Sequence, residues 1–127
     1  MEKKIYYHDT DCGGVVYYAN YLKYLEEART EFFENKGLSM ELLKERNFLY
    51  AVRKCTISYK SPARYGDIIV CDAAIKDVTA AQFIFIQNIQ DKSTGRSIAE
   101  AEVALVSLNQ EFKAVPIPED IRKQLVA

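Results

Sequence analysis

Residues 17–37, YYANYLKYLEEARTEFFENKG, decide the class of fold. Tyr18, Tyr21, Leu22, Leu25, Ala28 and Phe32 recur at steps of three and four, the spacing that lines one face of an α-helix. Glu26, Glu27, Glu31 and Glu34 fall mostly on the other side, and Gly37 is a natural C-terminal stop. Asn20 is a candidate N-cap, with residues 17–19 able to form a first tight turn. The spacing predicts a helix of about four turns carrying a broad aromatic stripe. A stripe of that width is buried when a sheet curls around the helix.

The flanking sequence supplies such a sheet. Ser39 reads as the N-cap of a second, shorter helix over residues 39–46, with Glu41 in its first turn. The period then changes to two. Cys55, Ile57 and Tyr59 alternate with Lys54, Thr56, Ser58 and Lys60 across a strand at 53–61. After the turn SPARYGD, residues 67–78 read as one long strand, and 82–90 as a third that is apolar on both sides over 83–86. Residues 91–95 turn the chain into a fourth strand, 96–109, with Ala99, Ala101, Val103 and Leu105 opposite Glu100 and Glu102. Four strands joined by short turns predict an antiparallel meander, to which residues 3–7 add a short strand. Pro116 and Pro118 introduce a last helix at 119–126. Helix and sheet are segregated, so the expected class is α+β: a long helix against a curled antiparallel sheet of about five strands, in one domain over residues 1–127. Apolar, aromatic edge strands predict a homodimer whose sheet continues between subunits.

Composition narrows the function. The chain is 49% hydrophobic and 28% charged, with five Gly and three Pro, which excludes a disordered or collagen-like polymer. Its 17 basic and 18 acidic residues give a net charge of −1, without the electrostatic footprint of a nucleic-acid binder. Cys12, Cys55 and Cys71 match no CxxC or zinc spacing, and one histidine cannot complete a His-containing metal cluster. Three free thiols, no apolar run near the roughly 18 residues of a membrane span, and no apolar stretch behind MEKKIYYHDTD lead us to expect a cytoplasmic protein.

The segment from Tyr7 to Tyr18, YHDTDCGGVVYY, holds two carboxylates, two adjacent glycines and a helix start. Unpaired N–H groups at a helix start suit a developing oxyanion, and glycine lets a carbonyl approach the main chain. Asp and Gly are also ordinary turn residues. The wider pattern separates the two readings. Tyr7-x-Asp9-Thr10-Asp11-x-x-Gly14-Val15-Val16-Tyr17-x-x-Asn20-Tyr21-Leu22, then Glu27-Ala28-Arg29, then Tyr59-x-Ser61-Pro62-Ala63-x-x-Gly66-Asp67 and Gly95-Arg96, together resemble the 4-hydroxybenzoyl-CoA thioesterase family of hot-dog proteins, in its bacterial acyl-CoA thioesterase branch.

The resemblance implies a hot-dog fold in homodimers, often paired into homotetramers, and cofactor-free hydrolysis of coenzyme A thioesters. The family's catalytic carboxylate falls on Asp11, and its backbone oxyanion donor on the N–H of Tyr18, where the branch commonly has His. Gly14, Val16 and Ser61 are then expected along the substrate, and Lys60 and Arg64 near the coenzyme A phosphates, with Arg96 a further candidate. Asp11 would act as a general base on water or as a nucleophile forming an acyl anhydride. Asp9 is expected to brace the loop, His8 to be exposed or structural, and Cys12 to be a spectator. Tyr17, Tyr21, Tyr24 and Phe32 read as core or dimer contacts. Acyl carrier protein thioesters fit the same chemistry. The rival readings are an acyl-thioester-binding module and a hot-dog dehydratase or hydratase, the latter needing a His beside an acid near the substrate.

Overall fold

A computed structural model describes residues 1–127. The aromatic stripe forms helix α1, Asn20–Asn35, which buries Tyr21, Tyr24, Leu25, Ala28, Arg29 and Phe33. The buried face is shifted from the expected stripe: Tyr18 precedes the helix and Leu22 faces solvent. Asn20 is the first helical residue rather than the cap; Ala19 caps the helix with α-region dihedrals, and the Asn20 amide donates instead to the Asp9 carbonyl at 3.0 Å. Gly37, at φ +76°, ends the helix in a Schellman arrangement, its N–H on the Glu34 carbonyl and that of Leu38 on the Phe33 carbonyl. Helix α2, Met40–Glu45, is capped by Ser39, whose hydroxyl accepts the Leu42 N–H. Helix α3, Glu119–Val126, falls where the prolines predict it.

The strands are β1 (Glu2–Lys4), β2 (Leu49–Tyr59), β3 (Ile68–Cys71), β4 (Ala74–Val78), β5 (Gln82–Asp91) and β6 (Ser97–Leu108). They form one antiparallel sheet in the order β1-β3-β5-β6-β2, with β4 also on β5. The α+β class with a helix against a curled antiparallel sheet is therefore correct, and it is the hot-dog architecture. Two details differ from expectation. The meander fails at its first link, because β2 pairs with β6 at the far edge and not with β3. The reason lies in residues 60–67, which are held across the start of α1 rather than in a hairpin: the Ala63 carbonyl accepts the Val16 N–H, and the Ala63 N–H reaches the Tyr21 hydroxyl at 3.2 Å.

The predicted single strand at 67–78 is interrupted between β3 and β4, making six strands instead of five. At the break the Asp72 carboxylate, not its carbonyl, accepts the Asn88 N–H at 2.7 Å. The freed Asp72 carbonyl accepts the buried Gln87 amide at 3.1 Å.

The core between α1 and the sheet is a cluster of 24 buried residues. Phe33 sits at its centre, with ring centroids 6.0 Å from Phe83 and 5.9 Å from Phe85 in edge-on contacts. Gln87 is a fully buried polar residue of this interior. Its amide donates to the Leu25 carbonyl as well as to that of Asp72, and its oxygen accepts Arg29 Nη1 at 3.0 Å, so one fully buried side chain ties α1 to the sheet. Strand β2 leaves its outer edge unpaired and exposes Val52, Cys55 and Tyr59. No helix is long and apolar enough to cross a membrane.

Candidate active site

The segment before α1 is built around Asp9, not around Asp11. Asp9 closes a short 3₁₀ turn, Tyr7–Asp9, and is buried. Its carboxylate accepts the Tyr6 N–H at 2.9 Å and lies 3.7 Å from Lys3 Nζ and 3.8 Å from His8 Nε2. Its carbonyl accepts both the Asn20 amide and the Tyr17 N–H. Burial alone raises its pKa; the Tyr6 N–H, the Tyr24 phenol, Lys3 and His8 together hold it below its ordinary value. Burial and the same carboxylate push the sealed Tyr24 phenol upward. Asp9 thus pins the turn to the start of α1, the bracing role expected of it. His8 projects into solvent, its ring stacked on Tyr6.

Asp11 is exposed. Its Oδ1 accepts the Gly13 N–H at 2.8 Å, an Asx turn that orients the carboxylate, while the Asp11 carbonyl accepts the Gly14 N–H. A Cβ at Gly13 would come within 3.1 Å of that Oδ1, and Gly14 stands at φ +77°, so the Gly-Gly pair serves the carboxylate's own turn. Cys12 beside it is exposed.

At the helix start, the Asn20 N–H bonds the Tyr17 carbonyl at 2.8 Å, closing a four-residue turn over residues 17–20. The N–H groups of Tyr18 and Ala19 at the centre of that turn have no acceptor. They lie at the positive end of the α1 dipole, just ahead of the first helical residue. Beside them a shallow pocket of about 320 Å³ is lined by Val16, Tyr18, Tyr21, Tyr59, Lys60, Ser61 and Pro62.

Of the residues singled out in the sequence, Val16, Tyr18, Lys60 and Ser61 share this pocket, whereas Asp11 and Gly14 lie on the adjoining loop. Ser61 is already engaged: its hydroxyl donates to the Ser97 carbonyl and accepts Arg96 Nη1, each at 2.5 Å. Arg96 also donates to the Pro62 carbonyl, so its guanidinium clamps the turn after β2. Arg64 is exposed, its backbone bridging Val15. Tyr21 and Tyr24 are core residues, Phe32 is half-buried, and Tyr17 is exposed, its ring edge-on to that of Tyr18.

Three pocket residues, Tyr21, Tyr59 and Pro62, were absent from the candidate site residues, and Tyr59 matters most. Tyr59 donates its hydroxyl to the Tyr18 carbonyl at 3.3 Å and sets its ring edge-on to that of Tyr18. In the sequence it is the last apolar position of an alternating strand and the first residue of the Tyr59-x-Ser61-Pro62 motif, and nothing local links it to a residue 41 positions away.

Fold and site define the class: the chain is a hot-dog enzyme of the thioesterase type and belongs to the thioesterase-like superfamily, whose profile matches residues 6–125. Within that family it is similar to the acyl-CoA thioesterase YbgC of Haemophilus influenzae, 32% identical over 120 residues that cover 94% of this chain and 88% of the relative. It is likewise similar to the acyl-CoA thioester hydrolase YbgC of Escherichia coli, 34% identical over 119 residues covering 93% and 88%. A solved 1,4-dihydroxy-2-naphthoyl-CoA thioesterase from Synechocystis shares the fold, with a TM-score of 0.89 and 24% identity over 99% of this chain and 93% of that one.

Proposed function

We propose that this protein hydrolyses acyl-CoA thioesters to the free acid and coenzyme A, with Asp11 as the catalytic carboxylate and the Tyr18 N–H as the oxyanion donor. The observation that carries the reading is the pair of unpaired amides at the α1 start beside a pocket, with a turn-held, exposed carboxylate on the adjoining loop. The thioester carbonyl lies along the groove formed by Gly14, Val16 and Ser61, its oxygen toward Tyr18. Asp11 takes a proton from water as the oxygen attacks the carbonyl carbon, or attacks that carbon itself to give an anhydride that water then opens. The developing oxyanion is met by amides that are already oriented and need no reorganisation. The thiolate leaves without a strong acid to protonate it. Lys60 and Arg64, both exposed near this groove, meet the coenzyme A phosphates.

The working unit is a homodimer, pairable into a tetramer, in which the unpaired edge and exposed apolar face of β2 are covered by a second copy. Acyl carrier protein thioesters present the same reacting group and belong in the substrate panel.

The test is thiol release from a panel of aliphatic and aromatic acyl thioesters by the wild type and Asp11→Asn. Release by the wild type, falling by at least about a hundredfold in the variant, is expected for removal of the acid–base group. Tight binding of the thioester without thiol release would identify a binding module, and water addition to an enoyl thioester would identify a hydratase. Either result overturns the proposal.

A further inference from the structure

The largest cavity lies away from the amides of the α1 start. It opens between α1, α2 and the first half of β2, with a volume of about 620 Å³. Leu43, Phe48 and Leu105 make its buried apolar wall, and Met40 on α2 and Val52 on β2 line it half exposed. Set into that wall is Arg29, only 8% exposed.

A guanidinium at that depth is expected to be paired with a carboxylate, because an isolated buried charge is costly. Arg29 is not. It has no ion pair, and its one hydrogen bond runs from Nη1 to Gln87 Oε1. Nε and Nη2 have no acceptor, yet neither is sealed; the only sealed, unpaired side-chain atoms are the hydroxyls of Tyr24 and Ser107. Burial draws the Arg29 pKa down, with Glu26 the main opposing influence. Arginine nonetheless keeps its proton in proteins, and its planar edge presents two parallel N–H donors matched to a carboxylate. The cavity falls in the size range of small-molecule sites.

We infer that this cavity is a binding site for a carboxylate carried on an apolar chain or ring, the carboxylate pairing with Nε and Nη2 of Arg29 and the apolar body lying against Leu43, Phe48 and Leu105. A monoanion fits better than a phosphate. The cavity offers one buried cation, and among the exposed charges on its lining Glu26 and Glu41 outnumber Lys44, so a second negative charge is disfavoured. Two sources share this chemistry: a free carboxylic acid, or the distal carboxylate of a dicarboxylic acyl thioester. The second rests on the proposed hydrolysis; the first does not.

The probe is octanoate, titrated calorimetrically into the full-length wild type and into Asp11→Asn, with 1-octanol as the uncharged control. Saturable octanoate binding to both proteins is expected, weaker by at least about tenfold for octanol and for Arg29→Gln, as for loss of a charged hydrogen bond. Arg29→Gln disturbs the buried Gln87 contact, so Met40→Trp, which narrows the cavity from a half-exposed position on α2, away from the β2 edge, serves as a second variant. It should weaken octanoate binding similarly while keeping the wild-type melting temperature. Comparing kcat/KM for suberyl-CoA and octanoyl-CoA separates the sources: a suberyl preference lost in Met40→Trp identifies the distal carboxylate, and equal rates identify the free acid. If neither thioester is hydrolysed, the hydrolysis reading fails and the octanoate titration decides the site alone. No saturable binding of octanoate to the wild type, or undiminished binding to Met40→Trp and Arg29→Gln, overturns the inference.

Discussion

The oxyanion assignment can be tested by removing a single proton donor from the backbone. Residues 17–20 form a turn closed by the Asn20 N–H on the Tyr17 carbonyl, with Tyr18 at the second position. That is where proline is favoured in a common β-turn, because its fixed φ fits and its missing N–H has no partner to lose. Tyr18→Pro therefore deletes the proposed donor while keeping the turn. Tyr18 is 63% exposed, so little packing is lost with its ring, and Tyr18→Ala isolates that contribution while retaining the amide. Loss of one oxyanion donor costs about two to three powers of ten in turnover. The neighbouring Ala19 N–H is also free and partly compensates, which puts the expected fall in kcat at about a hundredfold relative to Tyr18→Ala. Stability should change by no more than about 1 kcal/mol, or about 4 °C in Tm. The assay is steady-state thiol release beside a thermal melt. A proline variant with the kcat of Tyr18→Ala and an unchanged Tm would refute the assignment.

Asp9 is held below its ordinary value of 3.8, so it contributes stability that is present above that pH and lost as pH falls through the lower folded value. Melts from pH 6 to 2 should show this acid loss in the wild type and a flatter profile in Asp9→Asn; parallel profiles would contradict the pinning role. Phe33 is fully buried among Phe83, Phe85 and Tyr50, and Phe33→Ala should cost about 3–5 kcal/mol in urea unfolding, with a loss below about 1 kcal/mol refuting its central place. The cysteines give a labelling test. Burial pushes the Cys71 thiol up to about 12, so Cys71 should resist a disulfide reagent until the protein unfolds, while exposed Cys12 reacts at once. Cys55, on the exposed β2 face, should react in dilute protein and become protected as concentration rises, if β2 is covered by a second copy.

Helix positions and the α+β class were legible because they rest on local signals. The three- and four-step spacing of 17–37, the Ser39 cap and the prolines before 119 each act within a turn or two. Pairing was not local. The alternation at 53–61 identified a strand but not its partner, since what carries β2 to the far edge is the attachment of Ala63 to Val16 and Tyr21. The break at Asp72 depends on a carboxylate replacing a carbonyl in the ladder, which composition does not reveal. At the site, Asp9 and Asp11 look alike in sequence. They separate in the structure because one is enclosed by Lys3, His8 and Tyr24 while the other stands on an exposed glycine turn. The contact of Tyr59 with Tyr18 and the cavity around Arg29 were invisible for the same reason, each being assembled from distant elements.

The Gln87 side chain has an evolutionary consequence. It serves two carbonyls and one guanidinium at once, so a lone change to Leu or Met removes three hydrogen bonds together and leaves the buried Arg29 guanidinium without its one partner. A lineage can abandon the arrangement only by altering positions 29 and 87 in concert, and by giving Asp72 back its ordinary strand pairing. Among descendants of this sequence, those positions should covary as a block, even where the surrounding phenylalanines drift freely among other large apolar residues.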